Sequence, residues 1–128
     1  MAHDRCYLEP GDLIEIFRPL YQHWALYLGD GYVIHFTDTG EGSWSLSVGS
    51  VRAKKGIVKK ELLKDVVKDN VWRVNNKYDR SRTPLPVEEI IWCAERWIGR
   101  EMLYNVFAYN CEHFVTELRY GKKFSSQV

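Results

Sequence analysis

Cys111 stands in the run Asn110-Cys111-Glu112-His113-Phe114, and two further histidines, His23 and His35, lie near the opposite end of the chain. A thiol beside an imidazole is the pairing of nucleophilic catalysis: sulfur attacks a carbonyl while the ring takes and later returns a proton. If Asn110 caps a helix, Cys111 falls in the first turn, where free backbone N–H groups and the helix dipole favour a thiolate. His113 is the adjacent imidazole, but two residues along a helix is about 200° around its axis, so it points away from Cys111. A packing or hydrogen-bonding role is expected for it, and the base must come from elsewhere. Cys93 sits in a helical pattern beside Ile90 and Trp97 and reads as a small buried hydrophobe. Cys6 lies in an N-terminal segment expected to fray and is given no function.

The elements that must carry His23 and His35 form a hairpin. Residues 24–28 and 32–36 alternate as strands around Gly29-Asp30-Gly31. A two-residue loop, Asp30-Gly31, would set Leu26 against His35 and mix both faces. A three-residue loop sets Trp24 against Phe36, Leu26 against Ile34 and Leu28 against Tyr32, so one face is wholly apolar or aromatic. A buried face selects register strongly, because a one-residue slip inverts every side chain. In that register His35 opposes Ala25, and His23 is its diagonal neighbour on the other face. Diagonal positions are roughly 7–8 Å apart, within reach of ring side chains. The pairing alone leaves catalysis and metal binding both open. With four histidines in all, no further ligand cluster for zinc is visible.

Residues 11–17 read as an earlier strand closed by Arg18-Pro19, and 38–50, rich in Gly and Ser, as a loop. Residues 57–60 read as a strand, 61–67 as a short helix, 71–75 as a strand and 79–86 as a Pro-bearing loop. Apolar residues at 87, 90, 91, 94, 97 and 98 have helical spacing, with Gly99 as the stop. Residues 110–120 read as the last helix, between Asn110 as N-cap and Gly121 beyond its end. Strands dominate the first half and helices the second, which is the α+β class, with an antiparallel sheet packed against helices.

The chain has 128 residues, a net charge of +1 and 27% charged residues, which fits one globular domain spanning 1–128 and gives no global signal for nucleic acid. Three cysteines without paired spacing and a polar start argue for a reducing cytosolic setting. No run approaches the ~20 apolar residues that a spanning helix needs. Membrane contact is therefore expected to be peripheral. Arg52, Lys54, Lys55, Lys59, Lys60, Lys64 and Lys68 form a basic run that is either a solvated face or an anionic-lipid contact. Trp92, off the apolar stripe of its helix, and Trp44 are the aromatic candidates for lipid contact.

The blocks Gly11-Asp12-Leu13-Ile14-Glu15, His23-Trp24-Ala25-Leu26-Tyr27, Gly29-Asp30-Gly31-Tyr32-Val33-Ile34-His35, Val74-Asn75-Asn76-Lys77 and Asn110-Cys111-Glu112-His113-Phe114-Val115 occur in this order. In this the chain closely resembles the HRAS-like suppressor proteins, also called the phospholipase A and acyltransferase family. They are relatives of lecithin retinol acyltransferase in the NlpC/P60 papain-like superfamily. The resemblance implies a circularly permuted papain-like fold and a Cys-His-His triad. By matching position Cys111 is the nucleophile, His23 the general base and acid, and His35 the orienting third member, with Tyr21 contributing to the oxyanion hole.

The chemistry it implies is attack on an sn-1 or sn-2 ester of a glycerophospholipid and a thioester on Cys111. That thioester is resolved by water as a phospholipase A1 or A2, by the amine of phosphatidylethanolamine, or by a lysophospholipid hydroxyl. No metal or organic cofactor is implied, and a monomer meeting phospholipid at a membrane surface is expected. Family members generally carry a hydrophobic C-terminal anchor, and this sequence ends at Val128, before such a segment would begin. Residues 36–44 depart from the small apolar stretch expected beside the site. Two other readings stand beside this one: a thiol peptidase or amidase on the same fold, and a non-catalytic regulator of a signalling protein.

Overall fold

The computed structural model describes residues 8–39, 46–48, 51–104 and 110–121. Among the described residues, seven strands form one antiparallel sheet: β1 (Leu13–Phe17), β2 (Gln22–Gly29), β3 (Tyr32–Asp38), β4 (Leu46–Val48), β5 (Val51–Leu62), β6 (Val71–Val74) and β7 (Glu101–Tyr104). Their order is β4-β5-β3-β2-β1-β6, with β7 also paired to β5. The described residues also form three α-helices: α1 (Leu63–Val67), α2 (Val87–Trp97) and α3 (Cys111–Tyr120). A 3-10 turn runs over Lys77–Arg80. The class is α+β, as expected.

Alternation along the strands gives the sheet two buried faces. Leu13, Trp24, Leu26, Ile34, Phe36 and Val58 pack beneath Ile90 and Ala94 of α2 and Phe114, Val115 and Leu118 of α3. Ile14, Ile16, Ala25 and Val33 are covered on the reverse by Val66 and Val67 of α1. Gly56 lies so tightly under the Phe36 ring that a Cβ there would meet it at 2.5 Å. Two of the sequence blocks prove to be ties between strands. Asn75 Nδ2 donates to Glu15 Oε1 at 3.0 Å, and Asn76 Oδ1 accepts the Leu13 N–H at 2.8 Å. These bonds fasten β1 to the segment leaving β6.

The hairpin keeps the register argued for its centre, with Ala25 opposite His35 and Leu26 opposite Ile34. Its end differs from the expectation. Gly29, not Leu28, pairs with Tyr32, and the ladder shifts between Tyr27 and Gly29. The turn itself has two residues, Asp30 and Gly31, both at positive φ (57° and 85°), as the hairpin turn of that length requires. A bulge at Leu28 then restores the apolar face that a bare two-residue loop would have inverted.

The remaining differences lie in the second half of the sheet. Residues 46–48, expected to be loop, pair with β5. β5 runs on both sides of the predicted 57–60 strand, and α1 begins two residues later than expected. β7 was not anticipated: Glu101–Tyr104 is a short edge strand on β5 with Met102 and Tyr104 half-buried. The 79–86 segment contributes its first two residues to the 3-10 turn.

Candidate active site

α3 begins as its capping chemistry demands. The Asn110 side chain accepts the backbone N–H groups of Glu112 (3.0 Å) and His113 (3.2 Å), and the His113 ring Nδ1 lies 3.3 Å from the Asn110 backbone N. Caps of this kind contribute about 1 kcal/mol. His113 is thus a capping residue that faces the turn before it, and its ring is committed there. Gly121 ends the helix at φ +100°.

A cleft of about 500 Å³ opens where β2 starts, β3 and β7 end and α3 begins. It is lined by Tyr21, His23, Trp24, Asp38, Tyr104 and Cys111, among others. Because the cleft sits at strand ends, side chains from both faces of the sheet reach it. His23 alternates onto the reverse face, whereas Cys111 belongs to the core under α3, and both line the same cavity. Cys111 and His23 are each 4% exposed and His35 5%. The Cys111 backbone N–H points to the Tyr104 hydroxyl at 3.4 Å. Tyr21, which the resemblance placed at the oxyanion, stands on the cleft wall and is 57% exposed.

The two hairpin imidazoles meet as the diagonal register requires. His23 Nε2 lies 2.8 Å from His35 Nδ1, with the rings perpendicular at 82°. The Nε2 atom of His35 lies 2.8 Å from the Glu61 carboxylate on β5. From sequence Glu61 only opens the segment expected to be a short helix. Its place becomes visible once β5 is extended to Leu62, where Lys59 opposes His35 and Glu61 becomes the diagonal neighbour on the same face. Tyr104 was likewise missed, because the strand that carries it is four residues long and half-exposed.

Electrostatics separate the site from the sequence expectation for sulfur. Burial pushes the Cys111 thiol above its ordinary range, and the hydrogen bonds from Tyr104 and from the backbone of Trp24 and Glu112 do not outweigh it. The helix start therefore does not yield a resting thiolate: the loss of water around sulfur wins over the first-turn N–H groups. His23 is pushed down to about 3 by burial, with His35 and Arg18 acting in the same direction and Asp38 opposing. His35 is lowered by burial, against the pull of Glu61. At neutral pH the thiol and both rings are uncharged. Among the described residues, no group of three or more His, Cys, Asp or Glu is placed to hold a metal ion.

The fold and cleft together define an antiparallel α+β domain in which a helix-start cysteine shares a pocket with one member of a hydrogen-bonded imidazole pair. The chain belongs to the lecithin retinol acyltransferase family, whose profile matches residues 6–124, and within it to the phospholipase A and acyltransferase group. It is 55% identical over 122 residues to phospholipase A and acyltransferase 3 of Mus musculus, covering 94% of this chain and 75% of that protein. To phospholipase A and acyltransferase 1 of Homo sapiens it is 58% identical over 120 residues, covering 93% and 71%. To phospholipase A and acyltransferase 2 of Homo sapiens it is 51% identical over 120 residues, covering 92% and 74%.

The surface features named from sequence divide. Trp92 is 60% exposed, as its place off the apolar stripe predicted. Lys55, Lys59, Lys60, Lys64 and Lys68 are exposed, while Trp44, Cys6 and the side chains of Arg52 and Lys54 lie outside the described residues. Among the described residues, no helix is long and apolar enough to cross a membrane.

Proposed function

We propose that this chain is a cysteine-dependent phospholipase A and acyltransferase acting on glycerophospholipids at a membrane surface, built on a circularly permuted papain-like domain. The observation that carries the reading is the single cleft shared by Cys111 and His23, with His23 tethered to His35 at 2.8 Å. The order of elements fits the permutation, since the strand carrying the base precedes the nucleophile helix. With Nε2 of His23 engaged by His35, Nδ1 is the nitrogen left to take the thiol proton. Because thiol and ring both rest neutral, proton transfer accompanies attack on the ester carbonyl rather than preceding it. The Cys111 N–H and the Tyr21 hydroxyl are the donors for the developing oxyanion, a contribution commonly worth about 3–4 kcal/mol per donor.

The imidazolium of His23 then returns its proton to the departing lysophospholipid oxygen, leaving a thioester on Cys111. Water completes hydrolysis; the amine of phosphatidylethanolamine or a lysophospholipid hydroxyl completes transfer. Leu20 and Tyr21, 94% and 57% exposed in the turn beside the cleft, offer apolar surface to the lipid. The test is product analysis on vesicles of labelled phosphatidylcholine, with and without phosphatidylethanolamine. Release of fatty acid and, with the amine present, N-acylated product are expected, both lost in Cys111→Ala. Peptide cleavage without lipid turnover would replace this reading by the peptidase one.

A further inference from the structure

We infer that Glu61 is a positioning residue that sets which nitrogen of His23 is free to act as base, an inference that rests on the proposed function of the same site. A carboxylate has only acceptor atoms, so the 2.8 Å contact between Glu61 Oε2 and His35 Nε2 requires the hydrogen to sit on that nitrogen. A neutral His35 is then bare at Nδ1. Its partner across the next 2.8 Å contact, His23 Nε2, must therefore be the donor. A neutral His23 that donates from Nε2 is bare at Nδ1, which is the one nitrogen that can receive the Cys111 proton. One carboxylate thus propagates a single tautomer through two rings. Without it each ring would divide between two tautomers, and part of the population would present an N–H to the thiol instead of a lone pair.

Among the described residues that act on His35, no other group can fix this arrangement. The side chain opposite His35 on β5 is Lys59, and Arg18 is the other cation acting on His35. Neither can accept a hydrogen bond. Glu61 is also the group whose charge opposes the cost of burying His35. When His23 becomes an imidazolium by taking the Cys111 proton at Nδ1, its Nε2–H still points to His35 Nδ1 and the His35 Nε2–H still points to Glu61. No proton passes to the carboxylate, which acts by orientation and charge alone.

The test combines tautomer and rate. In the native chain labelled with 15N-histidine, the ring nitrogens of His23 and His35 are expected to report protonated Nε2 and bare Nδ1 in both. In Glu61→Ala the His35 resonances move toward a mixture of tautomers, and kcat on phosphatidylcholine vesicles falls at least about tenfold with KM within twofold. Glu61→Gln, whose carbonyl oxygen can still accept the same hydrogen, restores the native tautomer and most of kcat. The Glu61 side chain is 38% exposed, so truncation opens no cavity in the core. Unchanged tautomers in Glu61→Ala overturn the inference whether or not kcat falls, and so does an unchanged kcat. If the native chain turns over no lipid ester, the proposed function fails, while the nitrogen resonances still decide the role of Glu61.

Discussion

The two ends of α3 anchor two polar clusters of opposite design. At its C-terminal end Arg119 donates to both carboxylate oxygens of Asp79, at 3.1 and 2.9 Å, and to the Gly11 carbonyl at 2.8 Å. The Tyr120 hydroxyl adds a bond to Asp79 at 2.5 Å. Burial alone would raise the Asp79 carboxyl, but Arg119 and Tyr120 outweigh it and hold it below its ordinary value. The Arg119 cation is likewise favoured by Asp79, and Tyr120 is pushed up to about 12. Every ionisation in this latch is fixed across the physiological range. At the N-terminal end burial pushes Cys111 up and His23 and His35 down, so the thiol and both rings rest uncharged. A cluster of paired opposite charges resists proton movement and serves as a fastening. A cluster held neutral by burial, with one carboxylate at its far end, has a lone pair and a transferable proton at pH 7.

The largest expected effect comes from breaking the neutral cluster. His35→Ala removes the partner of His23 Nε2 and should lower kcat on vesicles at least about 100-fold. Truncation also leaves a cavity and the buried His23 Nε2–H without its acceptor, so kcat is read per folded molecule, below the midpoint of thermal unfolding. Turnover within threefold of the native chain would show that the two clusters do not divide chemistry from stability in this way.

Breaking the latch should do the reverse. Asp79→Ala strips the Arg119 guanidinium, 9% exposed, of its carboxylate and leaves it beside the Gly11 carbonyl and Tyr120. Loss of a fully buried partner costs about 3–5 kcal/mol. Asp79 is 39% exposed on its side chain, so solvent lowers the expectation to about 2–3 kcal/mol. Urea unfolding should show that deficit while kcat per folded molecule stays at the native value. A fall in kcat without a fall in stability would merge the two clusters into one functional unit.

The sequence disclosed these clusters unequally, for physical reasons. The register at the hairpin's centre was legible because apolar alternation chooses it, and with it came the meeting of His23 and His35, whereas the bulge at Leu28 was not. The helix start at Cys111 was legible from the Asn110 cap, and the exclusion of His113 from helical geometry. Glu61 was hidden because a charge run looks the same on a solvated helix and on a strand beside a buried ring. The raised Cys111 thiol was hidden too, since sequence displays the helix dipole but not how completely tertiary packing removes water from sulfur. β4 and β7 are short, and their existence depends on the long β5 edge rather than on their own residues. The Asp79–Arg119 pair spans 40 residues, and nothing in local pattern couples its ends.

The comparison sharpens further in acid, where both clusters lose stability but in different windows. The folded value of His23 lies near 3 against 6.5 when unfolded, so between these limits the unfolded chain binds more protons than the folded one. Stability is therefore fully present above about pH 6.5 and falls as pH drops below it, by about 2 kcal/mol at pH 5 for one such group. His35 acts in the same direction, being lowered as well. The charged groups acting on His23 are His35, Arg18 and Asp38, and only Asp38 opposes the loss. Asp79 is also lowered, but from 3.8, so its contribution survives to pH 4 and is lost only below it. Urea midpoints at pH 7 and pH 5 should therefore show one drop in the native chain and the same drop in Asp79→Asn, superimposed on that variant's constant deficit. In His23→Gln the drop should shrink. If Asp79→Asn abolished the drop and His23→Gln kept it, the proton-sensitive cluster would be the latch and the contrast between the two ends of α3 would be inverted.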